Sequence, residues 1–154
     1  MCLQTMRNLL GLTEVGKPKN VNKITASDIM QEIVGVLGYY PNFKMFDNDY
    51  LTTDFGEYDR FIQHSKINWL TYESEYMDCD DFAIALWGEF TRTKHWSGLA
   101  FGQISVGKKS DPSFAHAINV FITNDHEVYY CEPQNDKIWL MKNETDYEPY
   151  YIMF

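Results

Sequence analysis

The pattern of hydrophobic and polar positions divides the chain into a helical first part and a strand-rich second part. Apolar residues of the first part recur every three or four positions in two runs, which is the spacing of a helix with one buried face. The first run predicts a helix that begins after the capping pattern at Thr25 and ends at Gly38. The second predicts a helix from about Cys79 to about Thr91, and a shorter helix is expected near Tyr58 to His64.

The second part of the chain alternates short apolar segments with turn residues, which predicts β-strands. Helices followed by strands in antiparallel order are typical of the α+β class. The predicted strands are Leu99 to Val106, Phe114 to Ile122, Glu127 to Glu132, Lys137 to Met141, and the tail Tyr147 to Phe154, which would close the sheet edge.

A hairpin in this second part brings a histidine and a carboxylate together. If Thr123 to Asp125 form a three-residue loop, Ile122 pairs with His126, and His116 then lies directly opposite Glu132. Directly opposed side chains share one face of a sheet, so Glu132 can hold one imidazole nitrogen and leave the other for chemistry. The arrangement is typical of the orienting half of a nucleophile–base–acid triad.

The candidate nucleophile is Cys79, at the start of the predicted second helix. Asp78 is a good N-cap, and the helix dipole favours the thiolate of Cys79. The neighbouring carboxylates of Asp78, Asp80 and Asp81 act in the opposite direction and raise a thiol pKa. A histidinium or a bound cation is therefore needed to activate this cysteine.

Composition and charge limit the class of protein. A chain of 154 residues fits one domain, 1-154, with a peripheral N-terminal segment over residues 1-22. The formal net charge of -9 disfavours nucleic acid as a partner. The three cysteines lack the spacing of a disulfide framework or a zinc site. Neither a signal peptide nor a membrane-spanning stretch is recognisable, so no membrane partner and a cytoplasmic location are expected.

Three short segments carry a resemblance to a known family. Cys79-Asp80-Asp81, His116-Ala117 and Glu132-Pro133 follow the chain order of papain-like and transglutaminase-like cysteine hydrolases. They most resemble the calcium-dependent papain-like protease domain of the fairy-ring mushroom agglutinin type. The resemblance implies a papain-like α+β fold whose N-terminal helices, with the nucleophile at the start of the central one, pack on a C-terminal antiparallel sheet. It also implies a Cys79–His116–Glu132 triad, a calcium requirement, and Asp80 and Asp81 as the nearest metal ligands.

The residues around Cys79 support a metal site by their own chemistry. Glu73, Glu75, Asp78, Asp80 and Asp81 place five carboxylates within nine positions. Hard oxygen ligands suit calcium, with manganese as a substitute, and a bound dication would offset the charge that raises the pKa of Cys79. The expected ligands are Asp80, Asp81, Asp78 and Glu75. The alternative is that acidic residues simply stabilise a helix N-terminus.

The sequence therefore favours a thiol protease that cleaves a peptide or protein substrate, in which Cys79 attacks, His116 transfers the proton and Glu132 orients His116. A transglutaminase-like acyltransferase or deamidase uses the same residues. A non-catalytic module that binds a peptide or an effector is the third hypothesis. Asn119 is a second candidate for the orienting role, and the oxyanion donors stay open among the Cys79 N–H, Trp69 and Tyr72.

Overall fold

The structure is a computed structural model that describes residues 15–154. The peripheral segment was expected over residues 1–22. Its residues 1–14 lie outside the described part of the chain. Residues 15–21 have no helix or strand. They are nevertheless attached to the body of the protein, because Trp96 Nε1–H donates a 3.0 Å hydrogen bond to the carbonyl oxygen of Gly16.

Eight strands and three α-helices make up the described part of the chain. In chain order they are β1 (Asn22–Thr25), α1 (Ala26–Leu37), β2 (Asn42–Lys44), β3 (Asp49–Thr52), α2 (Phe55–Ser65), α3 (Cys79–Arg92), β4 (Phe101–Lys108), β5 (His116–Ile122), β6 (Val128–Glu132), β7 (Lys137–Leu140) and β8 (Tyr147–Met153). Short 3-10 helices lie at Ile67–Trp69 and Met141–Asn143. The three predicted helices and the five predicted strands are confirmed, with ends that differ by up to three residues.

The strands form two sheets. β1 pairs with β3, and the large sheet has six strands in the order β2-β8-β4-β5-β6-β7. Every paired neighbour in the large sheet is antiparallel except β2 and β8, which are parallel. The C-terminal strand β8 therefore lies inside the sheet, between β2 and β4, and is not its edge.

The papain-like α+β layout expected from the sequence is wrong. Three strands precede α3, so the first part of the chain is not a purely helical layer, and the large sheet is mixed and not antiparallel. Residues 42–44 form an outer strand of the sheet. The Phe154 N–H donates a 3.1 Å hydrogen bond to the Lys44 carbonyl and so joins this strand to the end of the chain. A strand of three residues is too short to show an alternating pattern in the sequence.

Each face of the large sheet supports its own core. Alternate residues of β5 divide between the faces: Ile118, Val120 and Ile122 join the cluster under α1, and Phe121 joins the cluster under α2 and α3. The second cluster is rich in stacked rings, with Phe90 and Phe101 centroids 3.9 Å apart. This aromatic layer sets the position of α3 on the sheet. No helix in residues 15–154 has the length and apolar content needed to cross a membrane.

Helix α3 begins at Cys79, as predicted. Asp78 is the N-cap residue, and its backbone N–H donates to the carboxylate of Asp81 at 3.2 Å. This reciprocal capping arrangement satisfies N–H groups that have no partner inside the first helical turn. It fixes Cys79 at the first position of the helix, directed toward β5.

Candidate functional site

The contact between His116 and Glu132 is the central feature of the candidate site. His116 is the first residue of β5, Glu132 is the last residue of β6, and the two strands are antiparallel neighbours. His116 Nε2 lies 2.6 Å from Glu132 Oε2, and both side chains are largely buried, with exposed fractions of 17% and 15%. Because Nε2 is held by Glu132, Nδ1 is the imidazole nitrogen that remains for a ligand.

The register that joins these residues differs from the expected one. Thr123 N–H donates to the Glu127 carbonyl at 3.1 Å, and Ile122 lies opposite Val128 and not opposite His126. The turn is thus centred one residue later than expected, with His126 in the left-handed region at φ 62°. Moving the centre by one shifts each pairing by two positions, which preserves the face of every side chain. His116 and Glu132 consequently remain on one face, but as diagonal neighbours.

Cys79 meets β5 at the point where the pairing with β6 ends. The paired residues stop at Asn119 and Cys131, and the backbone of Ala117, further toward the start of β5, lies close enough to the Cys79 thiol to affect its pKa. Burial is the largest influence on this thiol and raises its pKa; the Ala117 backbone lowers the pKa, and Asp78 and Asp80 raise it further. The neutral thiol is therefore favoured, contrary to the thiolate that a nucleophile requires.

The predicted metal ligands are only partly brought together. One ligand atom each from Asp78, Cys79 and Asp80 lies within 4.8 Å of the others. The neighbouring carboxyl of Asp78 is the main cause of a raised pKa at Asp80, so the two carboxyls compete for ionisation. Asp81 is engaged in the helix cap, and Glu75 lies in a turn with φ 68°, outside this group.

Asp78 and Asp80 suit a hard cation such as calcium better than Cys79 does. Asp78 Oδ1 is buried and has no hydrogen-bond partner among residues 15–154, so it is an oxygen ligand with unused capacity. Asp80 supplies a second carboxylate, whereas the thiol of Cys79 is a soft ligand that calcium does not favour.

Asn119 has a different role from the orienting one considered above. Its side chain is fully buried, and Nδ2 donates to the carbonyls of Ala83 at 2.9 Å and of Gly102 at 3.0 Å. The first carbonyl belongs to α3 and the second to β4. Asn119 therefore ties the helix that carries Cys79 to the sheet that carries His116, and it is a positioning residue. An isolated polar residue within the apolar run of β5 was its only signal in the sequence.

The residues considered as oxyanion donors lie in a surface segment. Trp69 is 73% exposed and Tyr72 is 55% exposed. Lys66 Nζ lies 4.5 Å from the centroid of the Trp69 ring, which gives that ring a cation–π partner. These contacts do not direct either side chain toward Cys79.

A cavity beside the His116–Glu132 pair was missed by reasoning from the sequence. Its volume is about 320 Å³. The lining side chains come from β6, the turn after it, β7, β8 and the segment before β8, so no contiguous motif could have indicated it. They are Glu132, Asn135, Lys137, Trp139, Glu144 and Tyr147.

Solved structures share this fold. A complex of PSL1a with E64 has a TM-score of 0.69 and 24% sequence identity, and the match covers 86% of this chain and 51% of that chain. Polyporus squamosus lectin bound to the epitope Neu5Acα2-6Galβ1-4GlcNAc has a TM-score of 0.68 and 27% identity, over 86% of this chain and 49% of the lectin. The chain thus spans about half the length of each neighbour. No protein-family model and no curated protein sequence matches it.

These neighbours correct the identification made from the sequence. The fold is shared with about half of a lectin, and this finding corrects the papain-like protease resemblance together with the hydrolase and enzyme assignments drawn from it. Of the three hypotheses drawn from the sequence, the non-catalytic binding module agrees best with these findings.

Proposed function

We propose that this chain is a ligand-binding module and not an enzyme, and that its ligand lies against Cys79, His116 and Glu132. The observation that carries the proposal is the 2.6 Å contact between His116 and Glu132, at the start of β5 where the backbone of Ala117 approaches Cys79. Ion pairs and charge-assisted hydrogen bonds of this kind hold a polar side chain in one orientation, which reduces the entropy that binding must overcome.

The chemistry of the site suits a ligand rich in hydroxyl or amide groups. His116 offers Nδ1, the neutral thiol of Cys79 is a weak donor and acceptor, and Glu132 accepts hydrogen bonds. Aromatic rings continue from this point, since the centroid of Phe114 lies 5.8 Å from that of His116. Ligand sites commonly combine apolar or aromatic walls with a few placed polar groups.

An oligosaccharide is the first candidate ligand. Support comes from the likeness to Polyporus squamosus lectin, whose structure was determined with a sialylated trisaccharide. The peptide considered from the sequence is the second candidate. The match covers about half of the lectin, so the proposed glycan binding concerns only the matched half.

The decisive experiment titrates the trisaccharide and the unreactive peptide Nα-acetyl-trialanine amide separately into the full chain by calorimetry. At least one of them is expected to bind, with affinity reduced about tenfold by Cys79→Ala and by Glu132→Gln, since each removes one polar contact. Cys131→Ala is the matched control, because it makes the same substitution at a buried thiol in the aromatic core. Binding should be unchanged in that variant.

Three outcomes would contradict the proposal. If neither compound binds, or if Cys79→Ala and Glu132→Gln bind as tightly as the unmodified chain, the ligand does not lie at this site. Chemical conversion of a bound peptide, followed by mass spectrometry and lost in Cys79→Ala, would contradict the non-catalytic part of the proposal.

We extend the proposal to a divalent cation, calcium with manganese as a substitute, held by Asp78 and Asp80. Support comes from the unused Oδ1 of Asp78 and from the approach of the two carboxyls at the start of α3. A bound dication would neutralise charge that otherwise accumulates beside Cys79, and it would strengthen the first turn of the helix.

A further inference from the structure

The cavity beside Glu132 has a net negative lining. Two of its side chains are carboxylates, Glu132 and Glu144, and one is an ammonium, Lys137. Glu132 is already committed to His116 through Oε2. Glu144 uses Oε1 to accept a 3.1 Å hydrogen bond from the Asp146 N–H, which leaves its other oxygen for a ligand. The free oxygen of Glu144 therefore favours a cation over an anion at this part of the lining.

Aromatic rings form the remaining walls of this cavity. The centroids of Trp139 and Tyr147 are 6.4 Å apart with planes inclined at 67°, and Tyr130 lies behind them at 5.5 Å from Trp139. A T-shaped pair presents the face of one ring next to the edge of another. Ring faces carry negative potential and attract ammonium and guanidinium groups within about 6 Å of the centroid.

The protein's own lysines already use these rings in this way. Lys137 Nζ lies 5.3 Å from the centroid of Trp139, and Lys108 Nζ lies 5.7 Å from that of Tyr147. The carboxylates also affect the electrostatics of the cavity, since the pKa of Tyr147 is raised by burial and then by Glu144 and Glu132. The phenol therefore stays neutral and can act as a donor.

We propose that this cavity binds an organic cation, namely an ammonium or guanidinium group. Glu144 supplies the charge, helped by Glu132, and the ring faces of Trp139 and Tyr147 receive the cation. The ammonium groups of Lys137, on the Trp139 ring, and of Lys108, on the Tyr147 ring, are its internal competitors. The inference goes beyond the proposed function, because it assigns a second recognition site that does not involve Cys79.

The test uses two probes of the same shape and different charge, Nα-acetyl-arginine amide and Nα-acetyl-citrulline amide. Binding to the full chain is followed by NMR through the indole N–H signal of Trp139, assigned with Trp139→Phe. The arginine probe should shift that signal and bind about tenfold more tightly than the neutral probe. Added salt should weaken its binding, since partly exposed charges are screened.

Variants with opposite expected effects separate charge from shape. Glu144→Gln should reduce the affinity for the arginine probe several-fold. Lys137→Gln should increase this affinity, because the competing ammonium is removed from the Trp139 ring. Asp47→Asn removes an exposed carboxylate elsewhere and should leave binding unchanged.

Equal affinity for the two probes, or an arginine affinity that neither Glu144→Gln nor Lys137→Gln changes, would overturn the cation site. Calorimetry with the trisaccharide and the uncharged peptide Nα-acetyl-trialanine amide on the same preparation reports the Cys79 site separately. The two proposals can therefore fail independently.

Discussion

His116 and Glu132 are diagonal partners across the β5–β6 hairpin, and their side chains meet at 2.6 Å although their backbones are not directly opposite. Continuing the observed register places Ile118 opposite Glu132. Diagonal neighbours are separated by roughly 7–8 Å at the backbone, a gap that an imidazole and a glutamate can close. The contact thus uses the full length of both side chains, which holds the imidazole in one orientation.

Replacing Glu132 by Gln should release that imidazole. The isosteric amide keeps the shape but loses the charge, and hydrogen bonds to charged groups are roughly twice as strong as neutral ones. We expect the Nε2–H proton of His116 to exchange with water faster in Glu132→Gln, measured by NMR on the labelled ring. Glu127→Gln, on the same hairpin but paired with Lys142 at the surface, is the control. Equal exchange rates in all three proteins would show that Glu132 does not hold the ring.

The contact between His116 and Glu132 was predicted correctly although the predicted centre of the turn was wrong. The alternation of side chains depends only on whether the register shifts by an odd or an even number. Centring the turn on Asp125 instead of Asn124 shifted it by two, so His116 and Glu132 kept a common face. A loop one residue longer would have separated them. The sequence therefore predicted correctly that His116 and Glu132 share one face of the sheet. It predicted wrongly that they are directly opposed.

Other features depend on contacts that no local pattern records. The strand Asn42–Lys44 is defined by its parallel partner β8, more than a hundred residues later. The pKa of Cys79 depends on how deeply α3 packs against β5, and the helix dipole alone suggested the opposite direction. The class of protein was also misjudged, because three short segments carried the resemblance while the fold is shared with a lectin.

Asn119→Ala should both destabilise the protein and loosen the candidate site. The buried amide bonds to the carbonyls of Ala83 and Gly102, so its loss should cost about 2 kcal/mol in the free energy of unfolding, measured with urea. Cys79 should also become more accessible to iodoacetamide, because α3 is less firmly tied to β5. Asn143→Ala, at an exposed position, should lie within about 0.5 kcal/mol of the unmodified chain. A destabilised variant with unchanged Cys79 labelling would contradict the positioning role.

Two glycine substitutions should change stability in opposite directions. A Cβ at Gly102 would lie 2.0 Å from the carbonyl oxygen of Met153, so Gly102→Ala must displace backbone between β4 and β8 and should cost about 1–3 kcal/mol. Gly35 lies inside α1 with nothing within 4 Å of an added Cβ. Gly35→Ala should stabilise by up to about 1 kcal/mol, because alanine favours the helix. Thermal unfolding of both variants checks the prediction, and an equally stable Gly102→Ala would contradict the close approach of the strands.

Calcium should raise the unfolding temperature if Asp78 and Asp80 hold it. A ligand present at about 100 times its dissociation constant adds about 2.7 kcal/mol to the stability of the state that binds it. We expect the increase after chelator-treated protein is mixed with calcium, and its loss in Asp80→Asn. Glu75→Gln is the informative control, because this residue was expected as a ligand but lies outside the group. An increase of equal size in Asp80→Asn, or no increase in any protein, would exclude this pair of ligands.

Asp136 should make stability depend on pH below neutrality. Burial raises the pKa of its carboxyl from 3.8 to about 6, with Lys66 opposing and Asp59 adding to the shift. The folded state therefore binds this proton more tightly than the unfolded state. The resulting stabilisation is fully present below 3.8 and is lost as the pH rises through about 6.

Asp136→Asn should remove this dependence. Asparagine tolerates the left-handed backbone at this position, where φ is 58°, and it stands in for the protonated carboxyl. Relative to the unmodified chain, the variant should gain about 2–4 °C in unfolding temperature at pH 7 and little at pH 4. Asp47→Asn controls for the loss of one negative charge at an exposed position. A difference between Asp136→Asn and the unmodified chain that stays constant from pH 4 to pH 7 would contradict a raised pKa, because it would show that the carboxyl ionises alike in the folded and unfolded chains.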